Sequence, residues 1–131
     1  MKYIKEMGML IFLLTFITTV SIWTSSARAY ELLMFSVKTC HYCIAFMDQV
    51  EPEYHDTEYA KTLPLTIIDN ADIPEWFQTA YEEGRIENIR GTPTFIIWDE
   101  KSKVEIDRIV GYGGKDEFFA RIAYWIEQHG Q

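Results

Sequence analysis

Cys40-His41-Tyr42-Cys43 holds the only two cysteines of the 131-residue chain, three positions apart. An apolar run at residues 32–35 precedes this stretch, as is typical of a buried strand. A helical pattern follows it, and in that helix we expect Ile44, Met47 and Val50 to face the core. A Cys-x-x-Cys between a strand and a helix indicates a dithiol redox motif. We therefore expect the fold to be organised around this strand, loop and helix.

The N-terminus has the layout of a secretory signal peptide. Lys2 and Lys5 give a charged start, residues 10–23 are mostly apolar, and Ala27-Arg28-Ala29 has the small-residue pattern of a cleavage site. This predicts a signal peptide at residues 1–29 and export of the remainder. An uncleaved membrane anchor is the alternative, but 14 apolar residues fall short of the roughly 20 that span a bilayer as a helix.

Residues 30–131 then form a single domain of 102 residues. The chain is 48% hydrophobic, which is enough for one compact core. Removal of the leader leaves 9 basic and 19 acidic residues, a net charge of −10. This charge argues against a nucleic-acid partner, whose phosphates require basic patches. No dimerisation domain is apparent, and we expect a monomer.

The order of apolar runs and turns predicts a βαβαββα chain of the α/β class. We expect strands at residues 32–37, 63–68 and 94–98, and a fourth with Val104, Ile106 and Val110 on one face. The first helix begins at about Cys40 with Thr39 as its cap, and residues 51–62 are expected to be a surface excursion with one helical turn. The long first crossover makes strands 1 and 2 parallel, and the short final link makes an antiparallel hairpin. The result is a four-stranded mixed sheet flanked by helices.

The spacing of the cysteines assigns them different tasks. Cys40 would lie at a helix N-terminus, where the helix dipole and unpaired N–H groups stabilise a thiolate. Cys43 returns to the same face within disulfide reach. We therefore predict that Cys40 is the nucleophile, and that Cys43 resolves the mixed disulfide with a partner. Lys38, Thr39, His41 and Tyr42 are the neighbours expected to tune that thiolate.

Two other uses of the cysteines remain open. A purely structural disulfide would close a loop of only four residues, which stabilises by roughly 2 kcal/mol against about 4.7 for a hundred-residue loop. A Cys-His-x-Cys also offers two thiolates and an imidazole to Cu(I), Zn or haem, although the sequence has no second Cys/His cluster. The redox hypothesis needs no metal or other cofactor.

A second motif, Gly91-Thr92-Pro93-Thr94-Phe95, puts a proline directly before a buried strand. Together with Cys40-His41-Tyr42-Cys43, it resembles the thioredoxin superfamily over most of residues 32–128. The resemblance implies a minimal thioredoxin fold in which Pro93 is cis. It also implies that Thr92 and Pro93 line a groove where an extended partner segment binds by β-type pairing.

The sequence departs from cytosolic thioredoxin in several places. Thr39 replaces a tryptophan, and His41-Tyr42 replaces Gly-Pro. Met34 stands where thioredoxin has a buried acid, and Leu65 stands where it has the nearby lysine. The proton relay of thioredoxin therefore does not carry over, and water or His41 would have to handle the protons.

Within the superfamily, the chain is most similar to the short exported SoxS-type thioredoxins of bacterial sulfur-oxidation (Sox) systems. The likeness lies in the 31–35 strand, the Cys-x-Tyr-Cys, the Pro52-Glu-Tyr segment, residues 92–95 and Gly111-Tyr112. It implies a periplasmic reductant of a partner protein's cysteine, such as a Sox-system carrier protein, that is recharged by a membrane thiol electron carrier. The alternative within the same chemistry is a disulfide oxidase or isomerase of the DsbA or DsbC type.

Overall fold

The computed structural model describes residues 28–130, so almost all of the predicted signal peptide lies outside the described residues. Four strands and five helices follow one another in this part of the chain: β1 (Tyr30–Ser36), α1 (His41–Gln49), α2 (Glu51–Tyr54), α3 (Tyr59–Thr62), β2 (Leu65–Asp69), α4 (Glu75–Glu82), β3 (Thr94–Asp99), β4 (Val104–Val110) and α5 (Lys115–His129). The predicted βαβαββα order is confirmed, with α2 and α3 as two additional short helices.

The four strands form one mixed sheet in the order β2-β1-β3-β4. β1 pairs in parallel with β2 and antiparallel with β3, and β3 and β4 form the antiparallel hairpin. Because β1 has a neighbour on each side and helices over each face, residues 32–35 are all buried. The predicted strand directions are confirmed.

Successive residues of β1 and β3 point to opposite faces of the sheet and build two cores. Under α1 and α5, one core joins Leu32, Met34, Phe95 and Ile97 with Phe46, Phe118 and Ile122. Under α4, the other joins Leu33, Phe35, Ile96 and Trp98 with Phe77. The result is an α/β sandwich with the sheet between its two helical layers.

The buried face of α1 differs from the predicted one. Cys43, Phe46 and Val50 are buried at a spacing of three and four residues, whereas the side chain of Ile44 is 48% exposed and Met47 is half-buried. The prediction for Ile44 was wrong because the helix begins at His41 and turns Cys43 to the core. Each following residue rotates by about 100°, which carries Ile44 away from it.

The prediction of a surface excursion with one helical turn at residues 51–62 was partly wrong, because this mostly exposed segment forms two short helices and contains a buried anchor. Pro52 lies in the first turn of α2, a position where a proline loses no helical hydrogen bond. Tyr54 in the same helix is completely buried, and its hydroxyl donates a hydrogen bond of 2.7 Å to the carbonyl oxygen of Leu63. Because the residues around Tyr54 are mostly acidic, the sequence gives no sign that this side chain is buried.

Tyr54→Phe should lower the free energy of unfolding by about 1–2 kcal/mol at neutral pH, because a buried hydrogen bond is lost. Burial raises the pKa of Tyr54 above its ordinary value of 10.0, so the unfolded chain loses this proton first. The wild type should therefore lose stability as the pH rises above about 10, whereas the phenylalanine variant has no hydroxyl to titrate. The difference in the free energy of unfolding between the two proteins should narrow accordingly. Urea unfolding between pH 7 and 11 measures this difference. Tyr124→Phe, whose side chain is 67% exposed, is the control, and its difference in unfolding free energy from the wild type should not narrow in this way.

The hairpin contains a β-bulge that the sequence pattern did not indicate. Ile97 pairs with Asp107 but Trp98 pairs with Glu105, so Ile106 is an extra residue. Ile106 and Val110 are exposed by 43% and 59%. The bulge interrupts the alternation between Val104 and Val110, so the prediction that Val104, Ile106 and Val110 share one face was wrong. The bulge reverses the alternation along the strand, so that Glu105 and Arg108 lie on the same face.

Candidate active site

Cys40 is the N-cap residue of α1. Its backbone is extended, its N–H donates to the carbonyl of Val37 at 3.0 Å, and its Sγ accepts a hydrogen bond from the N–H of Cys43 at 3.2 Å. Thr39, which we expected to cap the helix, lies one residue outside it and is exposed. The cap is therefore the cysteine sulfur itself, held against the positive end of the helix dipole.

Cys40 and Cys43 are joined as a disulfide, with their Cα atoms 5.2 Å apart. The two residues differ in their access to solvent. Cys43 is 1% exposed and belongs to the core under α1, whereas Cys40 is only partly buried. A cysteine at a helix N-terminus has a stabilised thiolate. Cys40, the less buried of the two cysteines, is therefore also the one whose thiolate the fold stabilises.

The neighbours of the two cysteines are exposed. The Nζ of Lys38 lies 3.5 Å from the Oδ2 of Asp69, at the end of β2. The rings of His41 and Tyr42 meet edge to face with centroids 5.6 Å apart, and Tyr42 is 58% exposed. The sequence neighbours of the disulfide are thus exposed, while Cys40 itself is half-buried.

The Thr92–Pro93 peptide bond is cis, as the resemblance implies. Thr94 pairs with Phe35, so Pro93 lies at the edge of the sheet where β1 leads into the Cys40 loop. Pro93 is buried and Thr92 half-buried. The carbonyl of Pro93 accepts a hydrogen bond of 2.7 Å from Gly111, whose φ of +87° favours glycine.

A groove of about 410 Å³ opens beside Tyr42. Val110, Gly111 and Tyr112 form one wall, and Arg121 of α5 lies on the other side. The Tyr112 hydroxyl donates to the Oε1 of Gln49 at 2.8 Å, which ties this wall to α1. Burial raises the pKa of Tyr112. The sequence signal for this groove was Gly111-Tyr112, directly after β4.

The segment leading to Thr92 and Pro93 is held by an ion pair on β4. Arg108 donates to both carboxylate oxygens of Glu105 at 2.5 and 2.7 Å, and to the carbonyls of Glu87 and Asn88 at 3.0 and 3.1 Å. Glu105 also accepts a hydrogen bond of 2.9 Å from the N–H of Glu87. The pair is possible because the bulge at Ile106 turns both side chains to one face. Sequence reasoning did not find it, since residues three apart normally face opposite ways in a strand.

Arg108→Ala should lower the free energy of unfolding by about 2–3 kcal/mol, because it leaves a shielded carboxylate without its partner. The Glu105 side chain is only 5% exposed and that of Arg108 18%. Urea unfolding measures the loss. Lys61→Ala is the control, because it removes the Lys61–Glu58 ion pair, in which the lysine side chain is 72% exposed. It should lower the free energy of unfolding by less than about 1 kcal/mol. Equal losses in the two variants would contradict the structural role of Arg108.

Within residues 28–130, no three His, Cys, Asp or Glu side chains lie together as a metal site would require. None of the helices in this range is long and apolar enough to cross a membrane.

A half-buried cysteine at a helix N-terminus, disulfide-bonded to a buried cysteine three residues on in an α/β fold, defines a thiol:disulfide oxidoreductase. The sequence model of the family described as the thioredoxin-like domain matches residues 23–126. The chain belongs to this family.

The chain is similar to two solved structures. The periplasmic thioredoxin SoxS from Paracoccus pantotrophus, in its reduced form, is 27% identical, with a TM-score of 0.61 over 76% of this chain and 97% of that one. The thioredoxin of Malassezia sympodialis is 22% identical, with a TM-score of 0.56 over 75% and 78%, and shows likeness of fold alone. No curated protein matches the sequence. The chain is thus a SoxS-like member of the thioredoxin superfamily.

Proposed function

We propose that the protein is a periplasmic thiol:disulfide reductase that keeps a cysteine of a partner protein in its thiol form. The observation that carries the proposal is the unequal exposure of the two cysteines, with Cys40 accessible at the start of α1 and Cys43 in the core. Export is supported by the signal-peptide pattern of residues 1–29, and by the likeness to a thioredoxin whose name describes it as periplasmic. Residues 30–131 would be the working domain.

The reaction proceeds in two exchanges. The Cys40 thiolate attacks the partner's disulfide, forms a mixed disulfide and releases one partner sulfur as a thiolate. Cys43 then loses its proton and attacks the Cys40 sulfur, which expels the second partner sulfur. The partner gains two electrons, and the protein is left with the Cys40–Cys43 disulfide found here. A thiol donor must reduce that disulfide before the next cycle, and we assign this task to a membrane thiol electron carrier.

The partner's segment is expected to lie along Thr92 and Pro93, which are at the same edge of the sheet as Cys40. An extended segment offers backbone groups for β-type pairing there. The exposed ring of Tyr42 and the groove beside it offer apolar contact. Lys38, Thr39 and His41 would tune the Cys40 thiolate through charge and hydrogen bonding, and a Sox-system carrier protein is the partner class that the relative suggests.

The redox potential of the purified protein tests this direction of electron flow. The protein is equilibrated with graded thiol buffers, and free thiols are then trapped with an alkylating agent. We expect a value near that of thioredoxin, about −270 mV. A value near about −120 mV, as in DsbA, would make the protein an oxidase. Cysteines that bind Cu(I) or Zn stoichiometrically but never cycle would overturn the redox function, and Cys43→Ser is the control that cannot form the disulfide.

A further inference from the structure

A second groove, which shares no lining residue with the Tyr42 groove, is bordered by the buried cysteine. It has a volume of about 310 Å³, and Ser36, Lys38, Cys43, Met47, Ile67 and Asp69 contribute to its lining. Cys43 is almost fully buried, with 1% of the residue exposed, so it borders this groove over a small area only. A volume of this size holds several water molecules. The groove therefore brings space for water up to the residue that carries the buried sulfur.

The core offers no other place for a proton from Cys43. Met34 and Leu65 are apolar and buried, with exposures of 0% and 7%. The buried residues of the described chain include no acid and no histidine, and Thr94, the one buried threonine, already donates its hydroxyl proton to the carbonyl of Gly91 at 2.6 Å. The groove is therefore the place to look for a group that takes the proton.

Asp69 is the only base besides Cys43 itself among the residues lining this groove, and Lys38 is the only other titratable group there. Asp69 ends β2 and pairs in register with Ser36, so its side chain sits at the sheet edge beside the Cys40 loop. Its Oδ1 accepts a hydrogen bond of 2.9 Å from the N–H of Ala71, and its Oδ2 faces the Nζ of Lys38 at 3.5 Å. His41, the nearest imidazole in the sequence, is exposed on α1 and does not line the groove.

We propose that Asp69 accepts the proton of Cys43 through water in this groove, with Lys38 as the residue that positions the carboxylate. The inference rests on the proposed resolving role of Cys43. The Cys43 S–H bond breaks and its proton passes through water to Asp69. The Cys43–Cys40 bond forms as the Cys40–partner bond breaks, and the partner sulfur leaves with the electron pair. When a donor later reduces the disulfide, Asp69 returns a proton to the Cys43 thiolate by the same path.

This water-mediated transfer to Asp69 would replace the function of the buried acid that thioredoxin has at the position of Met34. A carboxylate at the rim of a wet groove performs the same proton transfer from outside the core. Its effect should be smaller than the 10²–10⁴-fold typical of a directly placed acid or base, because water intervenes. We expect about tenfold.

Stopped-flow reaction of the reduced full-length protein with dithiobis(nitrobenzoate) separates the two exchanges. The first release of coloured thiolate reports attack by Cys40, and the second reports resolution by Cys43. Asp69→Asn keeps an oxygen for the Ala71 hydrogen bond. It should slow the second phase about tenfold at pH 7 and leave the first within twofold. The deficit should shrink at alkaline pH, where Cys43 loses its proton to solvent.

Two further variants complete the test. Asp72→Asn removes an exposed acid three residues away and should change neither phase. Lys38→Met should slow the second phase two- to threefold, a smaller effect than that of Asp69→Asn. The proposal is overturned if Asp69→Asn leaves the second phase unchanged or slows both phases equally. It is also overturned if the variant slows the second phase by the same factor at every pH. A wild type that releases only one thiolate would overturn the resolving role of Cys43, and this inference with it.

Discussion

Serine at Cys40 should abolish disulfide reduction, lowering the rate by at least about a thousandfold, because the attacking sulfur is lost. Serine at Cys43 should have a different result. The first exchange still occurs, but nothing expels the partner, and the mixed disulfide at Cys40 accumulates. The structure supports this asymmetry because Cys40 is accessible and Cys43 is enclosed in the core.

The two variants are compared by incubating each with a disulfide-bonded protein and counting covalent adducts by mass spectrometry under non-reducing conditions. Cys43→Ser should carry one partner chain that a reducing agent removes. The double variant with serine at Cys40 and Cys43 is the matched control and should carry none. An adduct on Cys40→Ser but not on Cys43→Ser would reverse the roles of the two cysteines.

Phe46→Ala should lower the free energy of unfolding by about 3–5 kcal/mol, the cost of truncating a fully buried aromatic side chain. The ring centroid of Phe46 lies 4.8 Å from that of Phe95, 5.0 Å from Phe118 and 5.5 Å from Tyr112. Phe46 therefore joins α1 to β3, to α5 and to the wall of the Tyr42 groove. Its removal leaves a cavity directly behind the helix that carries both cysteines.

Ile44→Ala is the matched control, because it truncates an apolar side chain on the same helix that is 48% exposed. It should cost under about 1 kcal/mol. Urea unfolding of the oxidised proteins measures both variants. The slope of the unfolding free energy against urea concentration should stay the same if only the native state is affected. A loss at Ile44 as large as that at Phe46 would mean that α1 packs in the orientation the sequence pattern first predicted.

The sequence predicted the fold well where a local pattern was sufficient. Residues 32–35 are continuously apolar because β1 is central and covered on both faces, and this signal is local. The Cys-x-x-Cys and Thr92-Pro93 motifs carried the resemblance that implied a cis Pro93. These features depend on short stretches of chain, and they were correct.

The errors arose where tertiary structure decides the outcome. Tyr54 stands among acidic residues, and only its packing under α5 shows that it is an anchor. The bulge at Ile106 depends on how β3 and β4 pair, so nothing in β4 alone indicates it. Asp69 follows the apolar run of β2, and nothing in the local sequence marks it as a site residue. It becomes a candidate site residue only because β1 and β2 run in parallel and bring Lys38 and Asp69 to one edge.

The way in which β1 enters the sheet has a consequence for how the protein can be tethered. The carbonyl of Ala29 accepts a hydrogen bond of 3.0 Å from the N–H of Glu100, and Tyr30 pairs with Asp99 at the edge opposite the cysteines. The length of β1 puts roughly 20 Å between this point and the Cys40 loop. A lipid anchor, a surface linkage or a purification tag attached directly ahead of Tyr30, the first residue of the proposed working domain, would therefore hold the molecule at the end opposite the dithiol, with the dithiol directed outward.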